Sequence, residues 1–320
     1  MSMNKTNLME KFSTQALTQT NMISQERIRY RKFRYLIQKA SFSLIWLSGL
    51  VTILILLIVI GYIFVKGIPE VNWDFLTTSP RGGLSGEGGI STTIVTTLYL
   101  VLLTSLIAIP LGIGAAVYLV EYADEKYLKS HITKGIIRFI HLGVETLAGI
   151  PSIIFGLFGF VLFVSTLHFG FSLLSGSLAG ACLILPTIIR TTEEALRAVP
   201  DSYRQGSLAL GATTWQTIQK VILPSALPGI ITGIILSTGR IVSETAVFYV
   251  TLGGSYRMPT SVMSGGRTLA LHLFYLAMET NAIEKAMGTG AVLVITIVMI
   301  NLMVNYVSKK INLRIHQETQ

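Results

Sequence analysis

Six stretches of this 320-residue chain are apolar for long enough to cross a lipid bilayer. A hydrocarbon core of ~30 Å takes about 20 helical residues to span. The runs are Phe42 to Val65, Ser91 to Val120 (bent or broken near Pro110), Ile136 to Thr166 (interrupted by Pro151), Ser172 to Ile189, Ala226 to Val250, and Ala286 to Val307. With 51% hydrophobic and 13% charged residues, the chain departs from a soluble globular composition in the same direction. The expected fold class is all-α and integral to a membrane, with six transmembrane helices.

The charges orient those helices. Eight of the 25 Lys and Arg precede residue 41: Lys5, Lys11, Arg27, Arg29, Arg31, Lys32, Arg34 and Lys39. Segments 121–138, 197–220 and the C-terminal tail (Lys309, Lys310, Arg314) hold most of the rest. The other side has Lys66, Arg81, Arg257, Arg267 and Lys285, spread over two larger loops. Cationic short loops stay on the cytoplasmic side, so both termini are expected inside. The net charge of +9 is then a membrane topology signal rather than a sign of nucleic acid. Interleaved with Tyr30, Phe33 and Tyr35, the basic stretch suits a juxtamembrane segment on anionic lipid. It fits a cleaved signal peptide poorly, because the following apolar run exceeds the usual ~7–15 residues.

Between the fourth and fifth spans lies a unit that most inter-span loops lack. It begins Pro200-Asp201-Ser202-Tyr203-Arg204-Gln205-Gly206-Ser207, passes Gly211, and ends Val221-Ile222-Leu223-Pro224. Gly211 suits a left-handed position after a short helix. Pro224 and Pro228 fix how the next helix starts. The pattern fits a rigid cytoplasmic knob, and equally an amphipathic interfacial helix.

Arg190, Arg240 and Glu244 fall in or beside apolar helices, where a charge costs ~2.5–3.5 kcal/mol at the bilayer centre. Arg240 and Glu244 are four residues apart, as are Arg190 and Glu194, so on continuous helices each pair shares a face. Two arginines, each with a carboxylate at hand, make an anion path that is discharged when empty. Guanidinium matches a tetrahedral oxyanion because its fork donates two hydrogen bonds. Thr187, Thr191, Thr192, Ser243 and Thr245 would add hydroxyls. The rival reading is that the charges lock helices together or reach the cytoplasmic edge.

Other chemistry is poorly supported. The lone Cys182 excludes a disulfide or thiolate-metal framework, and the five histidines show no ligand spacing. The run Gly82-Gly83-Leu84-Ser85-Gly86-Glu87-Gly88-Gly89 has no following Lys-Ser/Thr, so it is a flexible external loop rather than a nucleotide cradle.

The knob also carries a resemblance. Gln205-Gly206-Ser207, three residues, Gly211, nine residues, Val221-Ile222-Leu223-Pro224 resembles the coupling motif of type I ABC importer permeases, Glu-Ala-Ala, three residues, Gly, nine residues, Ile-x-Leu-Pro. Glu145-Thr146-Leu147-Ala148-Gly149-Ile150-Pro151-Ser152, Arg190-Thr191-Thr192-Glu193-Glu194 and Gly239-Arg240-Ile241-Val242-Ser243-Glu244-Thr245-Ala246 are similar to PstA-type permeases of the phosphate importer. The likeness covers about residues 88–308. It implies a MetI-like fold whose short cytoplasmic helix fits a groove on an ATP-hydrolysing subunit. It implies inorganic phosphate as cargo, with Arg190, Arg240, Glu244 and Thr245 along the path. The coupling residues would be Arg204, Gln205, Gly206, Ser207, Gly211, Leu223 and Pro224. The implied partners are a PstC-type permease, a PstB-type ATPase dimer, a PstS-type phosphate-binding protein, membrane lipid and phosphate-sensing regulators. No cofactor is expected in this chain, since ATP-Mg belongs to the ATPase.

The sequence departs from the family pattern at the knob. Gln205 loses the motif's charge, and Gly206 lowers helix propensity by ~1 kcal/mol relative to Ala, which shifts the expected coupling toward shape and Arg204. Val242-Ser243 also replace the small residues usual before Glu244. The expected divisions are a basic tail (1–40), a first helix with external loop (41–87), the transporter domain (88–310) and a short tail (311–320). The rivals are a permease for sulfate or molybdate, a stand-alone secondary anion carrier, and a membrane enzyme acting on lipid phosphate. The last would need a His or carboxylate cluster that the sequence does not display.

Overall fold

The computed structural model of the chain describes residues 5–81, 86–123, 131–280 and 282–317. Gly82 to Ser85 of the glycine-rich run, and Asp124, Glu125, Lys126 and Lys129 of the charged loop, lie outside the described residues. The chain divides into two compact units, Met1–Tyr62 and Ile63–Gln320. Helix is continuous through the described part of the first: α1 (Lys5–Gly67) carries the basic stretch into the apolar run without a break.

The second unit holds the remaining spans. After a short 3₁₀ turn (Ile68–Glu70), Asn72 caps α2 (Trp73–Thr77), its Oδ1 accepting from the Phe75 amide at 2.8 Å. Strands β1 (Pro80–Arg81) and β2 (Glu87–Gly88) pair antiparallel. Helix α3 (Ser91–Val117) runs through Pro110 without ending, then widens into a π turn at Tyr118–Tyr122. Within a bundle, neighbouring groups can take up the carbonyl that a proline frees.

The third expected span is a broken one. Helix α4 (His131–Ala148) and α5 (Ser152–Gly159), which continues as a π turn over Phe160–Thr166, meet at a 105° bend. Pro151 supplies the break, since it has no N–H to donate and disfavours helical geometry at Ile150. Helix α6 (Leu173–Arg197) is the most enclosed span, and it extends past the expected end at Ile189, so Arg190 lies inside it. Then come α7 (Asp201–Ala209), α8 (Thr214–Thr217), a π turn (Ile218–Ile222) and α9 (Leu223–Ser243). The chain closes with α10 (Ala246–Thr251), α11 (Leu269–Met278) and α12 (Ile283–Gln317). Among the described residues, five helices are long and apolar enough to cross a membrane, and six spans result if the bent pair counts as one.

Two of the three apolar clusters among the described residues pack against α6. One surrounds α6 with Leu100, Phe155, Leu183, Ile184, Ile241 and Phe248. The other lies under the knob, where Leu119, Leu196, Val199, Ile218 and Ile222 are all buried. The small residues Gly176 and Gly180 let other helices close on α6: a methyl at Gly176 would lie 3.2 Å from Leu100, and one at Gly180 would lie 3.3 Å from Ile241.

Candidate functional site

The two arginines stand on neighbouring antiparallel helices. Gly229 and Gly233 of α9 bring its backbone against α6. A methyl at Gly229 would lie 2.6 Å from Ala195 Cβ, and one at Gly233 would overlap the Thr191 hydroxyl. Each four-residue step along α6 is thus matched by a four-residue step back along α9. In that register Arg190 is level with Ile234 and Arg240 with Ile184, which puts them about 9 Å apart along the pair at 1.5 Å per residue. The spacing Gly229-x-x-x-Gly233 is a close-approach pattern visible in the sequence, a missed signal that this face of α9 packs against another helix.

Each arginine lies on an outer strip. On α6 the exposed residues Arg190, Glu194 and Arg197 follow one another at helical spacing; on α9, Thr232, Leu236 and Ser243 do so, with half-buried Arg240 among them. Arg190 has two carboxylates in reach, Glu194 Oε1 at 3.4 Å from Nε and Glu145 Oε1 at 3.8 Å from Nη1. All three side chains are more than half exposed (55%, 69% and 70%). Contacts this long and open hold a charge by at most ~1 kcal/mol, so they neutralise Arg190 without locking it. The Arg240 guanidinium makes no hydrogen bond or ion pair among the described residues.

Glu244 differs from expectation. Helix α9 ends at Ser243, and Glu244 has extended backbone (ψ 132). Its buried side chain turns to the next helix, Oε1 accepting from the amides of Ala246 (3.0 Å) and Val247 (3.3 Å). These are donors that the first turn of α10 would otherwise leave unpaired. The continuous helix needed to put Glu244 on the face of Arg240 is therefore absent. Thr245, at the cap position of α10, is half-buried and makes no side-chain cap bond. Thr191 donates to the Thr187 carbonyl (2.9 Å) within the α6–α9 contact, and Thr192 is buried. Of the candidate hydroxyls, Ser243 is the exposed one, and it donates to the Gly239 carbonyl at 3.0 Å.

The knob has the form its sequence suggests. Gly211 ends α7 with φ +89, a conformation that strains any side chain. Thr213 and Gln216 then cap α8 reciprocally. Gln205, Gly206 and Gly211 are exposed, together with Tyr203, Leu208, Leu210 and Trp215. The Ser207 hydroxyl lies 2.9 Å from that of Thr217, while Leu223 and Pro224 are half-buried at the start of α9.

Arg204 does not join that outer surface. Its Nη2 lies 2.7 Å from Glu121 Oε1, and Nε lies 3.2 Å from both carboxylate oxygens. Nη1 donates to the Val199 carbonyl (3.0 Å) and to Asp201 (3.3 Å), and Nη2 also donates to the Leu196 carbonyl (2.9 Å). The hydrogen bonds to Glu121 raise its already high pKa further, so it is a permanent cation. Within this chain the donors of Arg204 are all taken up internally, by Glu121, Asp201 and the Val199 and Leu196 carbonyls.

On the opposite side of the spans, Arg267 is buried and has no carboxylate contact among the described residues. It donates from Nε to the Gly254 carbonyl (2.9 Å), lies 4.1 Å from the Tyr275 ring centre, and has Nη1 3.4 Å from His272 Nδ1. Burial, and then the Arg267 charge, push His272 down to about 3.

Residues 108–317 match the family described as binding-protein-dependent transport system inner membrane component. A probable ABC transporter permease protein, YqgI of Bacillus subtilis (strain 168), is 34% identical over 79% of this chain and 90% of its own length. The phosphate transport system permease protein PstA of Mycobacterium leprae (strain TN) is 35% identical over 80% of this chain and 83% of its own. The fold is shared with a solved bacterial alginate ABC transporter in complex with a pentasaccharide-bound periplasmic protein. That match has a TM-score of 0.59 at 17% identity, over 83% of this chain and 94% of the other. With its spans, knob and glycine-paired helices, the chain belongs to the binding-protein-dependent transport system inner membrane components, as a PstA-type ABC permease.

Proposed function

We propose that this chain forms part of the route by which inorganic phosphate enters the cell through an ATP-driven importer. The observation that carries the reading is the strip on α6 and α9: two arginines about 9 Å apart along the pair, one weakly neutralised and the other without an ion pair among the described residues. A guanidinium offers phosphate two parallel hydrogen bonds. A loosely held carboxylate such as Glu194 can hand its arginine to the passing anion at little cost. The relatives named as phosphate transport permeases point the same way.

This is a multi-pass cell-membrane protein and a non-catalytic subunit, whose family works with an ATPase and a substrate-binding protein. We assign the partners more finely as a PstC-type permease facing the arginine strip, a PstB-type ATPase dimer on the exposed side of α7, and a PstS-type binding protein on the opposite side. In that arrangement the termini and the knob are cytoplasmic, in keeping with the cationic short loops. ATP binding draws the ATPases together, α7 follows, and α6 and α9 pass from one packing to another.

The test is ATP hydrolysis and uptake by the assembled complex in proteoliposomes. Phosphate-loaded binding protein should stimulate both, and neither sulfate nor molybdate should compete. Uptake by this chain alone without ATP, or equal competition by sulfate, would overturn the reading.

A further inference from the structure

Helix α7 is covalently joined to α6 and, through α8, to α9, so motion imposed on it reaches those two spans through the backbone. It packs on α8 and on the π turn at Ile218–Ile222. Helix α3 belongs to the same bundle and packs along α6, yet it has no covalent neighbour in the knob.

The connection to α3 is made by side chains. Glu121 sits in the π turn that ends α3, 83 residues from Arg204 in sequence. Its carboxylate is 8% exposed and Arg204 is 19% exposed, so this pair is much less open to water than the contacts of Arg190. Shielding and the two-pronged geometry make it stiff and directional. Through Nη1 and Nη2 the same guanidinium grips the Val199 and Leu196 carbonyls at the end of α6. Carbonyls at a helix terminus have spare accepting capacity, and the Leu196 carbonyl also accepts from the Val199 amide at 3.3 Å. One side chain thus ties three elements together: the end of α3, the end of α6 and the body of α7. Beneath it Leu119, Leu196, Val199, Ile218 and Ile222 are buried, so the joint has a packed floor.

We propose that Glu121 and Arg204 form a strut that carries the displacement of α7 into α3, so that three spans rather than two respond to the ATPase. Both are positioning residues, since neither lies on the arginine strip. The proposal rests on the importer reading above.

The test uses the complete complex in proteoliposomes, with phosphate uptake and ATP hydrolysis measured together. A buried ion pair replaced by apolar groups of similar size usually leaves a protein folded, so the first variant is Glu121→Leu with Arg204→Met. It should assemble, keep its KM for ATP, lose stimulation by loaded binding protein, and move about two- to thirtyfold less phosphate per ATP. The second carries Glu121→Cys and Arg204→Cys in a Cys182→Ala background, bridged by a short bifunctional thiol reagent. Bridging should restore much of the lost ratio, which a purely electrostatic role would not allow. An unchanged ratio in the first variant, failure of the bridge to restore it, or failure of the first variant to assemble would each overturn the strut. A wild-type complex that moves no phosphate would instead overturn the importer reading.

Discussion

Thr191 of α6 occupies the space that a side chain at Gly233 of α9 would need. This contact sets how closely the two arginine-bearing helices approach, and it fixes their register. Gly233→Ala gains ~1 kcal/mol of helix propensity. The new methyl, however, would overlap the Thr191 hydroxyl and lie 2.7 Å from its Cβ. Overpacking of this kind costs about 1–3 kcal/mol, so the clash wins. The variant should melt at lower temperature than the wild type in detergent, and Thr191→Ala should recover part of the loss. An unchanged or raised melting temperature would show that the helices are not paired through this contact.

Glu244 separates a capping role from a charge role. Glu244→Ala leaves two amides of α10 without their acceptor, at ~1–3 kcal/mol where the site is buried. Glu244→Gln keeps an acceptor oxygen in place. The Ala variant should lose thermal stability and the Gln variant should stay close to wild type, read as melting temperatures of the purified complex. Equal losses in both would mean that the negative charge, rather than the cap, stabilises the break between α9 and α10.

His272 sets a pH limit on the segment between α9 and α12. Its folded pKa is held at about 3, whereas an unfolded histidine titrates near 6.5. The folded protein therefore resists a proton that the unfolded chain accepts. Stability is full above about 6.5 and falls as pH drops from there toward 3. The melting temperature of wild type should decline through this window more steeply than that of His272→Gln, whose side chain takes up no proton. Parallel profiles would show that His272 is not kept neutral beside Arg267.

Much of this architecture was legible in the residues. Periodicity is not needed to see a run such as Phe42 to Val65, because the bilayer sets its minimum length. Pro151 and Gly211 act through their own backbones, so the bend and the left-handed turn could be read locally. The break at Glu244 could not. No Gly or Pro marks it, and it arises because a carboxylate captures amides two and three residues ahead. Nor could the inward turn of Arg204, whose partner Glu121 stands 83 residues earlier in a turn that only the π geometry presents. The arginine strip was legible in kind, because charge in an apolar helix is expensive. Its geometry depended on Gly229 and Gly233, which give the register only once the two helices are known to touch.

The most direct measurement is ATP-driven phosphate uptake by the assembled complex carrying Arg240→Gln, with Arg240→Lys beside it. Loss of a charged, bidentate donor is worth ~1.5–3 kcal/mol, or about 10- to 150-fold. The role assigned to Arg240 requires uptake reduced by that order in the Gln variant and by less in the Lys variant, with assembly intact in both. Uptake at the wild-type rate by an assembled Arg240→Gln complex would contradict it.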